Sequence, residues 1–210
     1  KIDKKNYYSP TSFGRFLQIN LGRQPNLIWD ALHVHHLLLH RLNPRAEYAF
    51  SAFYNLALDY IYNLKPDMRF KAIDINKVIT SELKEEKVGV STITTSTILS
   101  WAKMLEPPFI SSKRTYIRQV ASYCSLERVY FALAAVYAQR DMNLNNPLLM
   151  DEKMLDAIKL YLLVPQSEIL PHLRLLCNSY SDAVSEQTSH WGTSFVLKQW
   201  PSIPFPWIPV

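Results

Sequence analysis

Glycine is scarce in this sequence: only four of the 210 residues are glycine, whereas thirteen are proline. Turn-rich sandwiches and barrels need many glycines, and so do the loops that cradle phosphate groups. Hydrophobic residues make up 48% of the chain, which is ordinary for a globular protein. The composition therefore argues against those classes and favours a mainly helical fold with a real hydrophobic core.

Cysteine and long apolar runs are scarce as well. Cys124 and Cys177 are too few for a disulfide framework, and they suit buried thiols in a reducing compartment. The longest apolar run, Val129 to Ala138, is about half of what a membrane-spanning helix requires. The first residues are polar and basic and lack the apolar stretch of a secretory signal peptide. We therefore expect a cytoplasmic protein without a membrane partner.

Familiar catalytic signatures are missing. The sequence contains no Walker motif, no GxSxG nucleophile elbow and no HExxH zinc motif. Glu82, Glu85 and Glu86 lie at helical spacing, but Lys84 and Lys87 stand among them, which is typical of a solvated helix face. We expect a non-enzymatic protein that needs no cofactor, and an enzyme with an unrecognised site is the weakest of three hypotheses.

The chain does have an excess of positive charge. It carries 23 Lys and Arg against 18 Asp and Glu, which gives a formal net charge of +5 and an isoelectric point of about 9.1. This balance favours polyanionic partners, chiefly nucleic acid. Many basic proteins bind neither nucleic acid nor membranes, so the charge needs support from a structural motif.

Residues 74–120 have the pattern of a winged helix-turn-helix, a common device for placing a helix in a DNA groove. The spacing of apolar residues predicts a first helix over residues 75–86, with Asp74 as its N-cap. A second helix is predicted to begin at Ser91 or Thr92. It ends at Pro107 and Pro108, because proline cannot donate a backbone hydrogen bond.

The two faces of the second predicted helix differ in chemistry. An apolar stripe faces the core and consists of Ile98, Trp101, Ala102 and Leu105. The opposite face lacks carboxylates and consists of Thr92, Ser96, Ser100 and Lys103. Hydroxyls and a cation can bond to phosphate oxygens and base edges, whereas an acid would repel the DNA backbone. The pattern predicts a recognition face; the alternative is a solvated face rich in Ser and Thr.

A basic hairpin is predicted to follow the second helix. Residues 109–112 and 115–120 have the composition of two strands joined by a turn at Lys113 and Arg114. A basic hairpin tip can reach phosphate groups, so we predict that Lys113, Arg114 and Arg118 bind nucleic acid. The alternative is a surface hairpin whose Lys and Arg only keep its edge soluble.

The predicted fold class is mainly α: a multi-helix body with a winged helix-turn-helix-like unit that contains one short β-hairpin. The chain divides into an N-terminal helical segment (1–66), this unit (67–142) and a C-terminal helical segment with a tail rich in Pro and Trp (143–210). The alternative is that the three segments form a single compact domain. No internal sequence repeat is visible.

A group of histidines lies on the helix predicted over residues 26–42. His33, His36 and His40 share one face, and imidazoles on one helical face can bind zinc. A structural zinc site generally has four ligands, and the nearest carboxylate after the cluster is Glu47. The pattern therefore favours the polar edge of a buried helix over a metal site.

The C-terminal tail is predicted to be irregular from Ser181 onward. It contains Trp191, Trp200 and Trp207 together with four prolines, and its last residues are apolar. A free tail of this kind would be an exposed apolar patch. We favour packing of the tail on the helical body, and the alternative is docking to another protein subunit.

Two functional hypotheses lead. The first is a duplex-DNA-binding protein, either alone or as a subunit of a larger DNA-acting system. The second is a helical scaffold or adaptor in a multiprotein complex, without direct DNA contact.

Overall fold

The computed structural model describes residues 10–42, 49–83, 92–112 and 115–208. These residues are 57% helical and form eight helices and two small three-stranded antiparallel sheets. The predicted class, mainly α with a short β-hairpin, is confirmed. None of the described helices is both long and apolar enough to cross a membrane.

Helix α2 (Pro25–Leu42) lies at the centre of the molecule, preceded by α1 (Ser12–Asn20). Along α2, Ala31, Val34, Leu37 and Leu38 are completely buried, because apolar residues recur at helical spacing on more than one face. The helix packs against elements from both halves of the chain, and a single hydrophobic core runs from α1 to the C-terminal tail.

Two groups of elements, which we call the first unit and the second unit, pack around α2. The first unit comprises α3 (Ala49–Asn63), β1 (Arg69–Phe70), α4 (Ala72–Glu82), α5 (Thr92–Met104), β2 (Ile110–Ser112) and β3 (Tyr116–Arg118). Its sheet has the order β1-β3-β2, with Phe70 and Ser112 both opposite Tyr116. The strands β2 and β3 form the short hairpin predicted from the sequence.

Helix α4 begins earlier than predicted. The prediction that Asp74 is its N-cap is wrong, since Asp74 is the third residue of the helix and the N-cap is Lys71. The Asp74 carboxylate accepts the backbone N–H of Lys71 at 2.9 Å. A carboxylate at this position satisfies a free donor at the helix start as a cap does, which explains why the sequence suggested a cap.

The second unit comprises α6 (Leu126–Gln139), β4 (Pro147–Leu149), α7 (Glu152–Leu162), α8 (Gln166–Ser179), β5 (Val184–Ser189) and β6 (Gly192–Leu197). Its sheet has the order β4-β6-β5, with Leu148 opposite Phe195 and Val184 opposite Leu197. The predicted irregularity from Ser181 onward is therefore wrong. Strand β5 is polar at five of its six positions, so it lacks the apolar alternation that identifies a strand.

The two units repeat one topology. Each runs helix, strand, helix, helix, strand, strand, and in each sheet the last strand lies between the other two. No repeat is visible in the sequence, because equivalent helices differ in composition: α5 reads TITTSTILSWAKM and α8 reads QSEILPHLRLLCNS. The chain therefore contains a structural repeat that residue patterns alone did not reveal.

A buried ion pair joins the units to α2. Asp30 and Arg128 are each 1% exposed, and their side chains approach to 2.6 Å. The Arg128 guanidinium also donates to the backbone oxygens of Glu106, just beyond α5, at 2.8 Å and Leu162, at the end of α7, at 3.4 Å. Ser125 donates to the same carboxylate. One guanidinium thus links α2, the first unit and the second unit.

The C-terminal tail packs on the body. Phe205 is 3% exposed, and its ring lies 5.2 Å from that of Phe13 and 5.4 Å from that of Phe131. The indole N–H of Trp207 donates to His35 Nδ1 at 3.3 Å. The tail therefore completes the core beside α1, α2 and α6, which favours packing over docking to a partner.

Phe205→Ala should lower the free energy of unfolding by about 3–5 kcal/mol, because it removes a buried ring from this core. Urea unfolding of the variant and the parent measures the difference. Trp191→Ala is the matched control: Trp191 is 76% exposed, so its removal should change stability by no more than about 0.5 kcal/mol. Equal destabilisation by the two substitutions would contradict the packing of the tail.

Candidate nucleic-acid interface

Helix α5 is held by a broad apolar face. Ile98, Leu99 and Ala102 are completely buried and Leu105 is 2% exposed, which agrees with the predicted stripe and adds Leu99. Trp101, also predicted on the stripe, is half-buried. These contacts fix which face of α5 remains at the surface.

The ring of Trp101 anchors α5 on two other helices. Its centroid lies 5.7 Å from that of Trp29 on α2, and 5.0 Å and 6.0 Å from those of Phe50 and Tyr54 on α3. His36 on α2 also contacts it, at 5.3 Å. Such tilted aromatic pairs add stability beyond burial alone, so α5 is rigidly placed on the body.

A polar contact joins α4 to α5. The buried hydroxyl of Thr95 donates to the side-chain oxygen of Asn76. Thr95 was not among the residues predicted from the sequence, although its position three residues before Ile98 places it on the buried stripe. This bond fixes α4 relative to α5. It occupies a position on the buried stripe of α5 where the apolar pattern predicts a hydrophobic side chain.

The outer face of α5 presents the predicted hydroxyls. Ser96 and Ser100 are exposed, and Lys103 is half-buried with its ammonium 5.2 Å from the centre of the Tyr116 ring on β3. The spacing 96, 100, 103 places the three side chains on one side of the helix. The structure therefore brings these predicted residues together, and the side chain of Lys103 extends from α5 to the hairpin strand β3.

Arg118 is held within the protein. Its guanidinium donates to the backbone oxygen of Leu64 at 2.7 Å and lies 5.4 Å from the centre of the Tyr62 ring. Burial lowers the pKa of Arg118. These contacts tie β3 to the end of α3, so binding of nucleic acid by Arg118 stays a prediction.

Three of the predicted binding groups fall outside the part of the chain that the structure describes. They are the side chain of Thr92 and the residues Lys113 and Arg114. Thr92 is the first residue of α5, and Lys113 and Arg114 stand between β2 and β3 in the sequence. Their assignment as nucleic-acid-binding groups rests on this position and on their chemistry.

Charge is distributed unevenly along the chain. Residues 49–118, the first unit, carry ten Lys and Arg against seven Asp and Glu. Residues 126–197 of the second unit carry five against eight, and residues 1–48 carry seven against three. The positive charge of the protein therefore comes from its N-terminal half, and the second unit is acidic.

The histidines of α2 serve the packing of that helix. His33 Nε2 lies 3.1 Å and 3.0 Å from the backbone oxygens of Leu160 and Tyr161, and Nδ1 lies 3.0 Å from the Tyr54 hydroxyl. Carbonyl oxygens only accept, so Nε2 carries the proton. His36 Nδ1 lies 2.7 Å from the Ser51 hydroxyl. Both nitrogens of His33 are thus occupied by protein groups.

Burial keeps these imidazoles neutral. It lowers the pKa of His33 to about 3, aided by the nearby charge of Arg128, and the pKa of His36 to about 4. Burial also lowers the pKa of His35 to about 3. Among the described residues, no three His, Cys, Asp or Glu side chains form a group that could hold a metal ion.

These shifts predict a loss of stability in acid. The unfolded chain binds protons on His33, His35 and His36 below a pH of about 6.5, whereas these three residues stay neutral in the folded chain. The free energy of unfolding therefore falls as pH decreases. His33 alone should account for about 2 kcal/mol between pH 8 and pH 5. Urea unfolding across this range measures the slope.

His36→Gln should flatten the dependence of stability on pH, because unfolding of the variant takes up about one proton fewer in acid. Glutamine can keep a bond to Ser51 without titrating. His190→Gln is the control, since His190 is exposed on the hairpin of β5 and β6. Stability that stays constant from pH 8 to pH 5 would contradict the neutral, buried histidines.

Comparisons with protein-family models, curated proteins and solved structures find no match to this chain. A proposal for its function therefore has to rest on the geometry and charge of the residues described above.

Proposed function

We propose that the chain is a non-enzymatic duplex-DNA-binding protein, alone or as a subunit of a larger DNA-acting system. The first unit acts as a winged helix-turn-helix, in which α5 is the recognition helix and the hairpin of β2 and β3 is the wing. The observation that carries the proposal is the outer face of α5. This face presents Ser96, Ser100 and Lys103 on one side of a rigidly anchored helix.

The chemistry of this face suits DNA. Hydroxyls can donate to and accept from base edges, and Lys103 can bond to a phosphate or a guanine. The α5 sequence contains no Asp or Glu, so the helix itself brings no carboxylate toward the phosphate backbone. Met104 is exposed beside Lys103 and can contact the methyl group of a thymine.

The anchoring of α5 supports the same role. The ring of Trp101 packs between α2 and α3, and Thr95 bonds to α4, so the helix has little freedom to reorient. A recognition helix has to be held in one orientation if its side chains are to read base edges.

The charge distribution favours the first unit over the second as the DNA-binding part of the chain. Both units have the same topology, but the first has an excess of three positive charges and the second an excess of three negative charges. Binding to phosphates releases counterions and requires Lys or Arg at the contact surface. Lys113 and Arg114, between the strands of the hairpin, would add the phosphate contacts of the wing.

Two sets of substitutions test this division of roles. Lys113→Ala with Arg114→Ala should weaken binding to all duplex sequences alike and flatten the dependence of affinity on salt, because phosphate contacts carry no sequence information. Ser96→Ala with Ser100→Ala should instead change the preference among sequences by ~1–3 kcal/mol for each base edge that no longer receives its hydrogen bonds. Electrophoretic mobility shifts at several salt concentrations measure both effects.

The matched control removes the same charge elsewhere. Arg140→Ala with Lys153→Ala deletes two exposed cations of the second unit and should leave the affinity and its salt dependence nearly unchanged. A folded Lys113 and Arg114 double variant that binds DNA as well as the parent at every salt concentration would rule out the wing.

A second candidate function is a scaffold in a protein complex, and the surface of the second unit favours it. Trp191 is 76% exposed at the β5–β6 turn, Leu175 on α8 is 53% exposed, and the unit is acidic. Exposed aromatic and aliphatic groups on a unit with net negative charge suit protein contacts more than DNA. A parent protein that fails to bind any duplex at low salt would favour this function.

A further inference from the structure

A cavity of about 720 Å³ lies where the N-terminal helices, the second unit and the tail meet. The turn before α2, the first turns of α2 and α6, the end of α8 and residues 201–203 line it. Cavities of this size hold small organic molecules, and they lie preferentially where separate parts of a protein meet. The proposed DNA contacts of the first unit make no use of it.

The walls of the cavity are largely apolar. Aromatic rings and aliphatic side chains line it, among them Phe16, Leu27, Tyr130, Phe131, Tyr180 and Ile203. Phe131 is also part of the buried core, which makes that wall rigid. A ligand that fills this space therefore needs an apolar body, and flat rings would pack well against the aromatic side chains.

The ionisable groups of the cavity favour a positively charged ligand. Three carboxylates line it, and both oxygens of one of them, Asp30, are already bonded to Arg128 and Ser125. Among the described residues, Glu106 and Glu127 form no ion pair with Lys or Arg. Glu127 is half-buried and accepts a hydrogen bond from the Tyr180 hydroxyl at 3.3 Å.

The position of Glu127 suits an ammonium group. Like Glu127, Tyr130 and Tyr180 line the cavity, and the centroids of their rings lie 5.5 Å apart. A carboxylate can pair with an ammonium group, and aromatic rings in the same cavity can add cation–π attraction. The one basic side chain in the described lining, Arg23, is exposed, so water screens its charge.

We propose that this cavity is a binding site for a small organic amine with an apolar or aromatic body, and that Glu127 binds the ammonium group. The cavity also borders the ion pair that joins the units: Asp30 lines it, and Arg128 bonds to the backbone of Glu106 beyond α5. Bound amine should therefore change the affinity of the first unit for DNA, a consequence that rests on the proposed function.

Titrations without DNA test the site itself. Tryptamine and phenethylamine are the probes, and indole-3-propionate and phenylacetate are the matched anions with the same rings. We expect at least one amine to bind with a Kd below about 1 mM by calorimetry and to raise the melting temperature, while neither anion does so. Binding of neither amine, or equal binding of amines and anions, would overturn the proposal.

Variants locate the bound amine. Glu127→Gln should weaken binding of the amine about tenfold, as expected when a charge-assisted hydrogen bond becomes a neutral one. Glu152→Gln is the matched control, because Glu152 also lies in the first turn of a helix but is exposed and outside the cavity. Ser202→Trp should fill the cavity and abolish binding without loss of folding, since Ser202 is exposed. Unchanged binding in Glu127→Gln and Ser202→Trp would place the amine elsewhere and overturn the assignment.

A final titration separates the two proposals. If the parent binds duplex DNA, a saturating amine should change that affinity, and the Ser202→Trp variant should show no such effect. An unchanged affinity would overturn the link between the cavity and the first unit. Failure to bind DNA at all would leave the calorimetric result intact, because that measurement contains no DNA.

Discussion

The structure depends on one buried interaction, the ion pair between Asp30 and Arg128. Removing two charges from water is costly, and the cost is offset here because the guanidinium also bonds to the backbone oxygens of Glu106 and Leu162. Loss of one partner of such a pair typically destabilises a protein by about 3–5 kcal/mol. Because its partners belong to α2, the segment after α5, and α7, this guanidinium fixes the first unit relative to the second.

The two units around this ion pair show how one topology can carry different surfaces. Both place their last strand in the middle of a three-stranded sheet after two consecutive helices. In the first unit, α5 presents Ser96 and Ser100 and the unit is basic, whereas the second unit is acidic and exposes Trp191. We infer that DNA contacts the first unit. The second unit holds the first unit in place through Arg128, and it supplies one wall of the proposed amine cavity.

Local patterns were sufficient to predict α2, α5 and the first hairpin, and they placed α4 with an error at its start. The cap of α6 is also a local signal, because Ser125 is a short hydroxyl directly before an apolar helical stripe. Interactions between distant residues were not predictable. Asp30 and Arg128 are 98 positions apart. The sequence shows each of them as a charged residue within an apolar helical stretch, but it does not show that the two form a pair. The hairpin of β5 and β6 was missed since β5 is mainly polar, and with it the repeat of the topology.

Hydrogen–deuterium exchange with and without duplex DNA tests the central claim most directly, because it reports on every backbone amide without a substitution. The account predicts slower exchange in residues 92–104 and 110–118 when DNA is bound, with residues 166–179 and 184–197 unchanged. Protection confined to the second unit, or exchange that does not change with saturating duplex, would contradict the assignment of DNA binding to the first unit.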